Sequence, residues 1–148
     1  ITERFIQNLP TREVQKDVMR DIHRALAPGG TLLMCEGSET SFESLNDLRE
    51  SVGLSRIPST SKDNVSALRI KDEETKSFLE NEVGFTQKDK IGYSTYFIIT
   101  RVLHPLLAAP QQPRFDAKIN EIAREIEKNT PSTPGVGSNT LWVLEKRG

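Results

Sequence analysis

Between Thr11 and Leu26 the chain sets Val14, Val18, Ile22 and Leu26 four residues apart, with Met19 and Ala25 alongside and charges elsewhere. That stripe predicts an amphipathic helix. Thr11 suits its N-cap, and Glu13 puts an anion in the first turn, where the helix dipole favours it. Pro28, Gly29 and Gly30 end it. "TLLMCE" comes next without alternation, which predicts a strand covered on both faces, as in a parallel sheet.

"SFESLNDLRESVGL" predicts a second helix, with Leu45, Leu48 and Val52 on one side, Ser41 as cap and Gly53 at its end. "SRIPSTSKDNVSALRIK" has no period and reads as a loop. "DEETKSFLENEV" predicts a third helix capped by Asp72, with Phe78, Leu79 and Val83 inward. After Gly84, "FTQKDKIGYS" alternates as a strand does. "TYFIITRVLHPLLA" has a β-branched start, but Tyr96, Ile99 and Leu103 fit one helical face, and a helix is the preferred reading. "KINEIAREIEKN" is helical through Ile119, Ile122 and Ile126. "TPSTPGVGSN" is a loop, and "TLWVLEK" a last strand. Helices alternating with strands imply an α/β fold. Ile1 and Thr2 resemble the tail of a further strand, and "TLLMCE" is expected to have few neighbours.

Composition narrows the function classes. The chain has 148 residues, about one domain, and a net charge of −1, so no basic footprint points to nucleic acid. Its most apolar stretch, "YFIITRVLHPLLAAP", is interrupted by Arg101, His104 and Pro105, so no membrane span is expected. The charged start has no secretory h-region. One cysteine, Cys35, excludes an internal disulfide and agrees with a cytoplasmic setting. With only His23 and His104 beside it, no metal site is expected.

"RALAPGGTLLMCEG" resembles the helix, Pro-Gly-Gly and strand-acid block of class I S-adenosylmethionine-dependent methyltransferases, in which the fifth strand ends on an acid. "TERFIQNLPTREVQKDVMRDI" resembles the segment from the end of the fourth strand into the next helix. "LRESVGLSRIP", "FLENEVGFTQ" and "TLWVLEKRG" resemble later parts, the last being the seventh, antiparallel strand. The resemblance implies that residues 1–148 are the C-terminal part of one such domain: a partial Rossmann-like sheet with helices on both faces. Its glycine-rich cofactor loop would then lie upstream of Ile1. "PGVGSN" is the nearest glycine motif, but it leads into a strand and not a helix.

The resemblance also implies a site. Thr2, Glu3 and Arg4 would flank the methionine end of S-adenosylmethionine. Glu36 would face the crevice and orient or deprotonate a small-molecule acceptor. His104 would take a proton, its ordinary pKa lying near neutrality. Tyr93 and Tyr96 would wall the acceptor pocket, and oxygen is the preferred target atom. The Asn46–Arg49 face of the second helix is a further place for substrate contact, with solvated charge as its plainer reading. The others have plainer readings too: a surface pair for Glu3 and Arg4, a structural acid bonded to backbone N–H for Glu36, a capping histidine for His104, and a small core residue for Cys35. The rivals to a methyltransferase are a non-catalytic module of the same shape that pairs with another subunit, and a nicotinamide-dependent enzyme.

Overall fold

The computed structural model describes residues 1–59, 68–131 and 135–148. Its strands are β1 (Thr2–Glu3), β2 (Thr31–Gly37), β3 (Phe85–Gly92) and β4 (Asn139–Lys146), ordered β1-β2-β4-β3 in one sheet. Its α-helices are α1 (Arg12–Ala25), α2 (Glu39–Ser51), α3 (Asp72–Phe78), α4 (Ser94–Ile98), α5 (His104–Ala108) and α6 (Lys118–Lys128). The helices lie on both faces of the sheet, so the fold is mixed α/β.

The last strand is antiparallel as expected, but because it lies between β2 and β3 most of the pairing in the sheet is antiparallel and not the parallel arrangement expected of it. β1 pairs parallel with β2, but β4 is antiparallel to both β2 and β3. β1, β2 and β3 therefore run one way and β4 against them. β2 does not lack neighbours: β1 covers one edge and β4 pairs along the other from Thr31 to Gly37. Nor is it buried evenly. Leu32, Met34 and Glu36 are buried, whereas Leu33 and Cys35, on the opposite face, are half-buried. An unbroken apolar run hides such alternation, because period 2 is legible only when one face is polar.

The main core lies on the fully covered face. Leu32 and Met34 of β2 and Trp142 and Leu144 of β4 pack against Met19 of α1 and against Phe78 and Leu79. A second core joins Leu45 of α2 to Phe97 and Val102. His23 of α1 belongs to the packing: its ring meets Phe85 edge-on, centroids 4.9 Å apart.

Local signals place the helix ends with small shifts. Thr11 caps α1 as expected, accepting from the Val14 N–H at 3.2 Å. α2 is capped by Ser38, three residues before the expected Ser41, whose N–H donates to the Ser38 hydroxyl at 3.0 Å. Lys71, not Asp72, is the cap position of α3. α3 runs on into a π turn (Leu79–Val83), and a second π turn (Ile99–Leu103) joins α4 to α5. A π turn adds a residue and so rotates the later helical positions about the axis. Leu103, which a regular helix sets on one face with Tyr96 and Ile99, is exposed, while Phe97, Thr100, Val102 and His104 are buried. On α6, Ile122 and Ile126 also remain largely exposed, and Asn120 and Ala123 are the buried residues.

Asp72 has a larger task than capping. Its buried carboxylate accepts from the Ser38 hydroxyl (3.0 and 2.8 Å) and from the Lys90 ammonium (2.7 Å). Lys90 in turn lies over the Trp142 ring, 4.7 Å from its centroid. One acid thus ties α2, α3 and β3 together at the end of the sheet where β2 exits. Lys90→Met leaves that carboxylate buried with only hydroxyl and backbone donors, and should cost about 3–5 kcal/mol in urea unfolding. Asp72→Asn should cost less, because the lysine, one quarter exposed, can turn to water.

Candidate functional site

The site is built on how the chain leaves β1. Arg4 has φ +50°, the one residue other than glycine in the left-handed region among those described. Its N–H donates to the Cys35 carbonyl (2.8 Å), and its carbonyl accepts from the Asn8 side chain (2.6 Å). A short 3-10 turn (Ile6–Asn8) comes next. The carboxylate of Glu36 holds this turn: the N–H groups of Phe5 and Ile6 donate to Oε1 (3.2 and 3.1 Å) and that of Gln7 to Oε2 (3.1 Å).

Two glutamines extend the clamp. The Gln7 side-chain oxygen accepts from the Gly37 N–H at 2.6 Å, and a Cβ on Gly37 would stand 2.5 Å from that oxygen, so a larger residue would displace the Gln7 side chain. The Gln15 amide donates to the carbonyls of Ile6 (3.0 Å) and Leu68 (2.9 Å). Glu36, expected to face the crevice, is instead wholly buried. Both its oxygens are engaged by backbone, and it acts as a positioning residue for the residues around it.

Two cavities lie where β1 and β2 end and β4 begins. The first, about 400 Å³, is lined by Arg4, Gln7, Arg69, Arg101 and Ser138, with an apolar side that includes Phe42. The second, about 390 Å³, is lined by Glu3, Cys35, Tyr93, Arg124, Glu127 and Lys128, among others. Tyr96, Phe97 and Asn139 line both, so the two adjoin. Open α/β sheets bind ligands at the carboxyl ends of their parallel strands, and these cavities are there.

The expected site residues divide between places. Glu3 pairs in register with Cys35 and shares the second cavity with it. Thr2 pairs with Met34 and is buried, its hydroxyl bonded to none of the described residues. Arg4 lines the first cavity, Tyr93 the second and Tyr96 both. His104 is buried at the start of α5 and lines neither. Asn46 is not free for substrate contact: it is buried and bonded to both the N–H and the carbonyl of Ile57.

Sequence reasoning passes over Arg69 and Arg101 and the polar face of α6. A signal exists for both arginines: each interrupts an apolar run, in "ALRI" and "IITRVL".

Cys35 is more than a core residue. Burial, with the Glu3 and Glu36 carboxylates adding to it, pushes its thiol above the usual range, while a hydrogen bond from the Tyr93 hydroxyl pulls the other way. Burial and the neighbouring Cys35 raise the Tyr93 phenol as well. Both groups are therefore neutral near pH 7 and serve as hydrogen-bonding wall, not as base or nucleophile. Among the described residues there is no group of His, Cys, Asp and Glu fit to hold a metal ion, and no helix is long and apolar enough to cross a membrane.

No protein-family model matches the chain, and no curated protein matches it significantly.

Two measurements check this geometry. Glu36→Gln presents an NH₂ to backbone N–H groups and should cost about 1–3 kcal/mol by urea unfolding for a donor left unpaired. Iodoacetamide should alkylate Cys35 more slowly in the folded than in the unfolded chain at pH 8, the folded rate still climbing past about pH 9. Tyr93→Phe removes the donor that favours the thiolate, so the alkylation profile should move to still higher pH. A folded thiol that resists ionisation also makes stability fall as pH rises above the unfolded thiol's pKa.

Proposed function

We propose that this chain forms the acceptor side of a class I S-adenosylmethionine-dependent methyltransferase acting on an oxygen of a small molecule. The observation that carries the reading is the pair of adjoining cavities at the carboxyl ends of β1 and β2. The strand directions support it. With β1 to β4 taken as the fourth to seventh strands of the resemblance, β4 runs against its neighbours, as the seventh should. β1 lies beside β2 where a fourth strand would end.

The residues present fit one end of the cofactor. At the end of β1 the exposed Glu3 carboxylate, on the second cavity, matches the ammonium of a methionine moiety, whereas Arg4 lines the first cavity. The buried Thr2 does not reach that space. The adenosine end finds no glycine cradle among the described residues. Gly137 donates its N–H to the Ser41 carbonyl (3.0 Å), and its α-carbon lies so close to Phe97 that a Cβ would fall 2.5 Å from the ring.

When bound, S-adenosylmethionine supplies an electrophilic methyl group, so alignment is the protein's main contribution. Tyr96 and Phe97, shared by both cavities, form the wall between cofactor side and acceptor side. Tyr96 is fixed by its N–H donating to Glu127 Oε2 at 2.6 Å.

Calorimetric titration of S-adenosylhomocysteine into the protein at its full encoded length tests the reading. Binding should be saturable, and Glu3→Ala should weaken it by about tenfold, the loss of one charge-assisted contact. A folded protein that takes up none would exclude the methyltransferase and favour an interaction module of the same fold.

A further inference from the structure

The first cavity gathers positive charge that the described residues do not neutralise. Arg4, Arg69 and Arg101 line it; among the described residues no carboxylate does, and none of the three arginines is in an ion pair. The Arg69 guanidinium lies over Phe42, 3.6 Å from the ring centroid, and spends one donor on the Ser59 carbonyl at 2.7 Å. Burial and then Arg4 act on Arg69 against Glu43 and Glu39 of α2, and the net result is a guanidinium held less firmly protonated than usual. Glu43 is in any case claimed by Arg56, which also binds Asp47 and Glu50. Arg101 lies over Phe115, and its carbonyl accepts from a further guanidinium, Arg49, whose own charge is disfavoured first by burial and then by Arg101.

Like charges facing one concave space repel each other, and low-dielectric walls concentrate their field. Such an arrangement is relieved by a bound anion. The fork of a guanidinium matches carboxylate and phosphate oxygens two at a time. Beside the arginines the cavity offers the amides of Gln7 and Asn139 for polar contact and Phe42, Phe97 and Ile57 for an apolar body. The clamped left-handed Arg4 adds to this: a strained residue held by two hydrogen bonds is fixed before any ligand arrives.

We propose that this cavity binds a small molecule with an oxyanion head, carboxylate or phosphate, on an apolar body. Arg69 and Arg101 grip the head, and Phe42 and Phe97 flank the body. The inference rests on the charge and lining of the cavity and stands independently of methyl transfer. Under that reading it gives the acceptor its class.

The probes are benzoate, phenyl phosphate and neutral benzyl alcohol, titrated at low salt into the protein at its full encoded length, folded by circular dichroism, and followed by isothermal calorimetry and by backbone amide shifts. At least one of the two anions should bind, with shifts centred on Gln7, Arg69 and Ser138 and affinity falling as salt rises. Which anion binds tighter identifies the head group. Arg69→Gln and Arg101→Gln, checked for folding by circular dichroism, should each weaken binding about tenfold or more. Arg24→Gln, on the outer side of α1 and paired with Asp21, should leave it unchanged. Equal binding of benzyl alcohol, shifts centred elsewhere, no binding by either anion, or arginine variants that bind like Arg24→Gln would each overturn the proposal. The shift map of the unsubstituted chain decides the matter even if a variant fails to fold.

Discussion

A buried carboxylate with no partner is among the costliest groups a protein can hold, and Glu36 escapes that cost only because three backbone N–H groups of the turn after β1 point at it. The exchange binds both sides. The turn satisfies few of its own donors, since a 3-10 segment of three residues closes few bonds. β1 is only two residues long and could not fix its own exit. Through Gln7 and Gln15 the same clamp reaches Gly37 at the end of β2 and Leu68 at the return of the chain. The position of Arg4, and with it one wall of the cationic cavity, therefore depends on an acid from a different strand.

A second polar knot works at the same end of the sheet. Asp72 joins the cap of α2 to β3 through Ser38 and Lys90, so the elements around the cavities are tied by ionic and hydrogen-bonded contacts. The body of the sheet is held by apolar packing around Met19, Phe78 and Trp142, the last lying under Lys90. This division suits a binding site. Polar networks specify geometry closely where side chains must be placed, and apolar contacts supply most of the stability where they need not be.

The cavities and the clamp bear on each other electrostatically. Glu36 brings a negative charge beneath a surface lined by arginines, but its oxygens are saturated by backbone donors and it is wholly enclosed. The arginines keep their field for the cavity. Across the Tyr96–Phe97 wall the lining changes character, to the carboxylates of Glu3 and Glu127 balanced by Arg124 and Lys128, beside the neutral Tyr93–Cys35 couple. Two adjoining spaces of different charge are suited to two different ligands.

Much of this architecture is legible along the chain. The stripe on α1, the turn at Gly29 and Gly30, the strands β2, β3 and β4 and the helix chosen for "TYFIITRVLHPLLA" all come from periodicity and turn chemistry, which act within a few residues. The family resemblance sets Glu3, Arg4, Tyr93 and Tyr96 near the strand ends, and they line the cavities. Periodicity does not reach anything settled by partners distant in sequence. β4 inserts between β2 and β3, Glu36 turns inward to residues some thirty positions away, Asp72 becomes a hub, and Arg69 meets Phe42 and the neighbourhood of Arg4. A carboxylate at a strand end looks the same in sequence whether it faces solvent or a ring of N–H donors. Only the tertiary fold decides, because the energy of a charge depends on what surrounds it and not on its neighbours in the chain.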